Sequence, residues 1–112
     1  MSASYFVRYE GVAANREEFV RYYRDQHVPI LAQFPAIRGI VLHSPVEWHD
    51  SFPVQPDRFM LLAQMIFDSQ DDLDRALQSE ARAAARSDFG NFPPFKGAVF
   101  HQAAASEQVF PL

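Results

Sequence analysis

Apolar residues along the chain switch twice between strand spacing and helix spacing. Tyr5 to Glu10 is an aromatic and β-branched run closed by Gly11, which predicts a first strand. Asn15, Glu18 and Phe19 mark a helix start: Asn15 can cap, Glu18 stands three residues on, and apolar periodicity begins at Phe19. Phe19, Tyr23 and His27 follow at four-residue steps and share one side of that helix. Pro29 lacks an N–H, and its ring clashes with a preceding carbonyl inside a helix. The helix is therefore expected over about 15–27, ending near Gln26 or His27, with a short second helix from Pro29 to Phe34. His27 then sits at an irregular junction beside apolar surface, where a chemical site is expected.

Ile37 to Trp48 predicts strand two. Strict alternation places Ile37, Gly39, Val41 and His43 on one face and Arg38, Ile40, Leu42 and Ser44 on the other. His49 to Arg58 is rich in turn formers and predicts a loop. Phe59 to Asp68 predicts strand three, with Phe59, Leu61, Ala63, Met65 and Phe67 on one face. Ser69 caps a second helix that runs to about Ser87, with acidic residues in its first turn. Asp88 to Phe95 is turn-rich and aromatic, Lys96 to Ala103 predicts strand four, and 104–112 is a tail.

The order β-α-β-β-α-β is that of a ferredoxin-like α+β fold: a four-stranded antiparallel sheet with two helices on one face, in a single domain over residues 1–112. The other face of such a sheet should be polar in a monomer. Here Ile40, Leu42, Leu62 and Ile66 make both faces of strands two and three apolar. The economical cover is the same face of a second copy, giving a closed homodimer.

Composition narrows the function classes. Apolar residues make up 48 % of the 112, and eleven are phenylalanine, which implies a filled core or apolar area buried against a partner. The formal charge is −4 and Lys96 is the one lysine, so the positive footprint that nucleic-acid binding needs is missing. No apolar run has the length of a membrane span, and Met1 to Ser4 lacks the features of a signal peptide, so a cytoplasmic protein without membrane contact is expected. With no cysteine, thiolate metal sites and a cysteine nucleophile are excluded.

Among candidate residues, His27 is either a general base or ligand donor beside apolar surface, or a cap on the last carbonyls of its helix. Tyr23, one turn earlier, either holds a substrate oxygen or is a core aromatic. Tyr22 is expected at the surface or at a dimer rim. Asp88 either orients an imidazole or acts as an acid, or else caps a turn. His43, His49 and His101 show no metal-ligand spacing, and His43 and His101 are expected as strand histidines. Phe89, Phe92 and Phe95, with Trp48 and Phe52, are candidates for the walls of a hydrophobic cleft between helices and sheet. No nucleophile elbow, phosphate loop or dinucleotide glycine pattern is present, so no cofactor is expected.

Taken together, the Phe19…Tyr23…His27-Val28-Pro29 segment, the strands Ile37–Val41 and Met65–Phe67, and the late Ser79-Glu80-Ala81…Asp88-Phe89…Phe92 pattern resemble the EthD-like family of the dimeric α+β barrel superfamily. The resemblance covers most of the chain. It implies a small, often dimeric protein, and it matches the family's helix-end histidine to His27 and its late acidic position to Asp88. Related barrels include isomerases, cyclases, cofactor-independent monooxygenases and haem-binding proteins, so the fold fixes architecture better than reaction. The expected function is a cofactor-independent proton transfer on a small apolar or aromatic metabolite, with His27 as base and Tyr23 and Asp88 as its partners. Two alternatives stay open: a non-catalytic binding or haem-carrying protein, and a structural dimerisation module.

Overall fold

The computed structural model describes all 112 residues. The first strand, β1 (Ser2–Ala13), is twice as long as the Tyr5–Glu10 run. Gly11 does not close it. Gly11 lies opposite Gly97 of the last strand, and both take positive φ, 148° and 155°. A Cβ on Gly11 would stand 2.2 Å from the Lys96 carbonyl oxygen, and one on Gly97 would stand 2.1 Å from that of Glu10. The paired glycines let two long strands cross closely and continue.

Asn15 starts helix α1 (Arg16–Tyr22), its Oδ1 accepting the Glu18 N–H at 3.0 Å. The helix does not stop at His27 as expected. It widens into one π turn (Tyr23–His27) and runs straight into α2 (Val28–Leu31). The Val28 N–H reaches back five residues to the Tyr23 carbonyl. The wider turn makes room for the Pro29 ring, so the proline deforms the helix instead of ending it.

Strand β2 (Ile37–His43) is shorter than expected, and residues 44–60 follow without regular structure before β3 (Leu61–Phe67). Strict alternation also fails in β2. Ile37 pairs with Phe67 and Gly39 with Ile66, so Arg38 is the extra residue of a bulge. The bulge puts Ile37 on the same face as Ile40 and Leu42, all packed on the core.

The second helical region is two helices rather than one. Ser69 Oγ accepts the Asp72 N–H at 3.1 Å and starts α3 (Gln70–Leu77). Ser79 takes an extended backbone and its hydroxyl donates back to the Ala76 carbonyl at 2.6 Å, which ends α3. Helix α4 (Glu80–Asp88) then sets off anew and ends in a single 3₁₀ turn, Phe89–Asn91. The last strand, β4 (Phe95–Ser106), exceeds its expected Lys96–Ala103 span and pairs with the whole of β1.

The sheet order is β2-β3-β1-β4, all antiparallel, as in a ferredoxin-like fold with both helical regions on one face. The core lies between them. Tyr5, Val7 and Tyr9 of β1 and Leu61, Ala63, Met65 and Phe67 of β3 face Phe19, Tyr23, Leu31, Leu73, Ala76 and Ala85. The opposite sheet face is mixed. Val41 and Phe100 are exposed there beside half-buried Phe6, Leu62 and Ile66. A polar line also crosses it, from His43 Nε2 to Gln64 Oε1 (3.0 Å) and from Gln64 Nε2 to Ser4 Oγ (3.2 Å). No helix is long and apolar enough to cross a membrane.

Candidate functional site

The π turn decides where His27 points. It holds the imidazole 4.8 Å from the Tyr23 ring and 4.7 Å, edge to face, from Phe92, centroid to centroid. Only 5 % of His27 is exposed. Asp88 arrives from α4, where Ala81, Ala85 and Asp88 fall at i, i+4 and i+7 on the inward stripe. Its Oδ2 stands 2.9 Å from His27 Nδ1. Its Oδ1 accepts from the Tyr22 hydroxyl at 2.7 Å and from Asn91 Nδ2 at 3.1 Å. Tyr22, expected at the surface or a dimer rim, is thus a partner of the buried carboxylate.

These contacts fix the protonation states. Burial would raise the Asp88 pKa, but the hydrogen bonds from Tyr22, His27 and Asn91 outweigh it and hold it below the usual carboxylate value. Burial pushes His27 below its ordinary value, against the opposing pull of Asp88. At neutral pH the pair is therefore a carboxylate and a neutral imidazole. A carboxylate only accepts, so Nδ1 carries the proton and Nε2 keeps a free lone pair.

A cavity of about 380 Å³ opens beside this pair, between the helices and the β1–β4 half of the sheet. His27, Tyr23, Leu31, Phe34, Ala85, Phe89 and Phe92 line it from the helical side, and Tyr5, Val7, Tyr9, Met65, Val99 and His101 from the sheet. Burial pushes the Tyr9 hydroxyl up to about 12, and burial together with Tyr9 raises Tyr23 well above its ordinary value. Both hydroxyls stay protonated and are hydrogen-bond donors rather than bases. Arg82 and Arg86 of α4 complete the lining.

A second polar chain runs along the sheet side. Arg82 Nη2 donates to the Tyr5 hydroxyl at 3.1 Å, and Tyr5 Oη lies 2.7 Å from His101 Nδ1. A guanidinium only donates, so Tyr5 accepts from Arg82, and the same hydroxyl contacts His101. His101 is neutral at neutral pH: burial lowers its pKa first, and Arg82 and Arg86 lower it further.

Of the candidates, His27 and Tyr23 line the cavity, and Asp88 acts on it only through His27. Phe89 and Phe92 are walls, whereas Phe95 packs against Tyr9 and Phe19. Trp48 and Phe52 border a separate open cleft formed by the 45–59 connection. His43 lies on the other sheet face and His49 in the exposed loop. His101, by sequence a strand histidine, joins the lining with Tyr5, Tyr9, Arg82 and Arg86, none of which is among the sequence candidates for the site. Their alternation on β1 and β4, and the four-residue step from Arg82 to Arg86, were the available signals. No three His, Cys, Asp or Glu residues converge as metal ligands.

The family pattern for the EthD domain matches residues 13–93, from the end of β1 through both helical regions, well over half of the chain. The chain belongs to the EthD family. An EthD family protein from Bacillus halodurans C-125 superposes with a TM-score of 0.71 at 17 % identity, over 96 % of this chain and 100 % of that one. An EthD-like protein from Ralstonia eutropha JMP134 gives 0.68 at 23 % identity, over 97 % and 93 %. SnoaB, a cofactor-independent oxygenase from Streptomyces nogalater, gives 0.63 at 14 % identity, over 99 % and 98 %. These likenesses establish the shared ferredoxin-like fold of this EthD chain. Among curated proteins, none matches it in sequence.

Proposed function

We propose that this EthD chain binds a small, largely apolar molecule in the cavity beside His27, and that His27 Nε2 accepts a proton from it. The observation that carries this reading is the orientation of the pair: Asp88 holds Nδ1–H at 2.9 Å in a site that is 5 % exposed at the imidazole, which leaves the basic nitrogen as the free one. A neutral imidazole held in one tautomer is poised for general-base work near neutral pH. The Tyr23 and Tyr9 hydroxyls share one hydrogen bond, so the pair supplies one donor for an oxygen on which charge develops, and the aromatic walls strengthen such a bond by excluding water. The volume of about 380 Å³ lies in the range of about 300–1,000 Å³ of small-molecule pockets, at the end that suits one or two rings. SnoaB, a cofactor-independent oxygenase, has the same fold, which is in keeping with cofactor-free chemistry.

The mixed open sheet face, with Val41 and Phe100 exposed, supports a homodimer formed through it. A second reading is binding without catalysis. It is favoured by the way Asp88 also ties Tyr22 and Asn91, which makes it a structural hub as well as a partner of His27.

One experiment separates the two. One- and two-ring ketones, phenols and lactones are screened for binding by thermal shift. For the ligands that bind, solvent deuterium incorporation at the activated carbon is followed with wild type and His27→Ala. Proton transfer predicts binding by both and exchange slowed by about 10²–10⁴-fold in the variant. Equal exchange rates leave only the binding reading, and no binding by any of the compounds removes both.

A further inference from the structure

The cavity has a cationic side that the proton-transfer reading does not use. Arg82 and Arg86 border it, and the lining contains no aspartate or glutamate. Neither arginine forms an ion pair within the chain, which is also true of Arg16, Arg21 and Arg58, whereas Arg8, Arg24, Arg38 and Arg75 each face a carboxylate. Arg82 is half-buried, with its guanidinium carbon 5.0 Å above the Tyr5 ring and one nitrogen committed to the Tyr5 hydroxyl. Its other donors have no protein acceptor.

A partly buried guanidinium without a counter-charge costs desolvation energy that an anion would offset. Two arginines and no acid in one cavity lining run against the net charge of −4 of the chain as a whole. The polar chain adds a further polar group. Arg82 donates to the Tyr5 hydroxyl, and that hydroxyl lies 2.7 Å from His101 Nδ1, which brings the His101 ring to the same side of the cavity. Resting on the proposed binding role of this cavity, we propose that its ligand is a small aromatic carboxylate whose anionic group is received by Arg82 and Arg86, with His101 beside them. The planar guanidinium fork matches a carboxylate in a way that a single ammonium does not. The ring then lies among Phe34, Phe89 and Phe92.

The test is isothermal titration of the full chain with benzoate and 2-naphthoate against their neutral amides, for wild type, Arg86→Gln, Arg82→Gln and Arg38→Gln. Arg86 is exposed and has no side-chain partner in the chain, so its variant is expected to fold even if Arg82→Gln disturbs Tyr5. The expected result is a preference of about tenfold or more for acid over amide in wild type, equivalent to ~1.4 kcal/mol. Arg86→Gln should erase most of it through the acid alone, with Arg38→Gln unchanged. Equal affinity for acid and amide in wild type overturns the anion proposal and leaves the cavity reading standing. So does a parallel loss of acid and amide in Arg86→Gln, or a matching loss in Arg38→Gln. Absence of binding by every probe overturns both.

Discussion

Replacing Asp88 by asparagine changes one atom that matters. Oδ1 accepts from Tyr22 and Asn91 at 2.7 and 3.1 Å, and an asparagine oxygen in the same place still accepts from both. Oδ2, 2.9 Å from His27 Nδ1, becomes an NH₂ group. Two donors then face each other, and the imidazole relieves the conflict by moving its proton to Nε2 so that Nδ1 accepts. The free lone pair leaves the cavity side. Three hydrogen bonds also lose their charge assistance, while none is left without a partner. The expected loss of stability is therefore about 2 kcal/mol, or a fall in Tm of roughly 10 °C, rather than unfolding. The assay is ¹⁵N NMR of histidine-labelled protein, which reports which ring nitrogen carries the proton. Wild type should show Nδ1–H for His27, and Asp88→Asn should show Nε2–H. Deuterium exchange on any bound ligand should fall by at least about 100-fold, as for removal of the imidazole. The reasoning is refuted if wild-type His27 already carries its proton on Nε2, or if the tautomer is the same in both proteins.

Acid should weaken the protein in two steps. His27 has a depressed pKa in the folded chain, so below about 6.5 the unfolded state binds more protons; its contribution is complete above that pH and lost as pH falls towards the folded value. Asp88 is also depressed, and its contribution is lost only below its ordinary value of 3.8. Urea midpoints measured across pH should show both steps, with the upper one reduced in His27→Gln and a remainder left from His101, which shifts the same way. Gly11→Ala should cost about 2–4 kcal/mol in urea unfolding, because its Cβ meets the Lys96 carbonyl at 2.2 Å with φ at 148°. Gly90→Ala, with nothing within 4 Å of its Cβ, should stay within about 0.5 kcal/mol. Phe100→Asp, on the open sheet face, should turn a dimer into a monomer in sedimentation at micromolar concentration; an unchanged mass would place any dimer contact elsewhere.

The pattern of apolar residues by itself gave the order of strands and helical regions, the grouping of Leu61, Ala63, Met65 and Phe67 on one face of β3, and the helical stripe that carries Phe19, Tyr23 and His27. These are local properties, because side-chain period and caps such as Asn15 and Ser69 depend on near neighbours in sequence. His27 and Asp88 were also legible as separate candidates. Their pairing was not, since 61 residues separate them and no spacing rule links a π turn to the end of another helix. The tertiary structure alone decided three further things. The wider turn carries the helix past Pro29, where a local rule ends it. The Arg38 bulge returns Ile37 to the core face, where strict alternation sends it outward. The registry of β1 with β4 puts Tyr5 beside His101 and Gly11 against Gly97. The bulge and the registry depend on contacts between segments far apart in the chain, where packing of the whole core outweighs local preference.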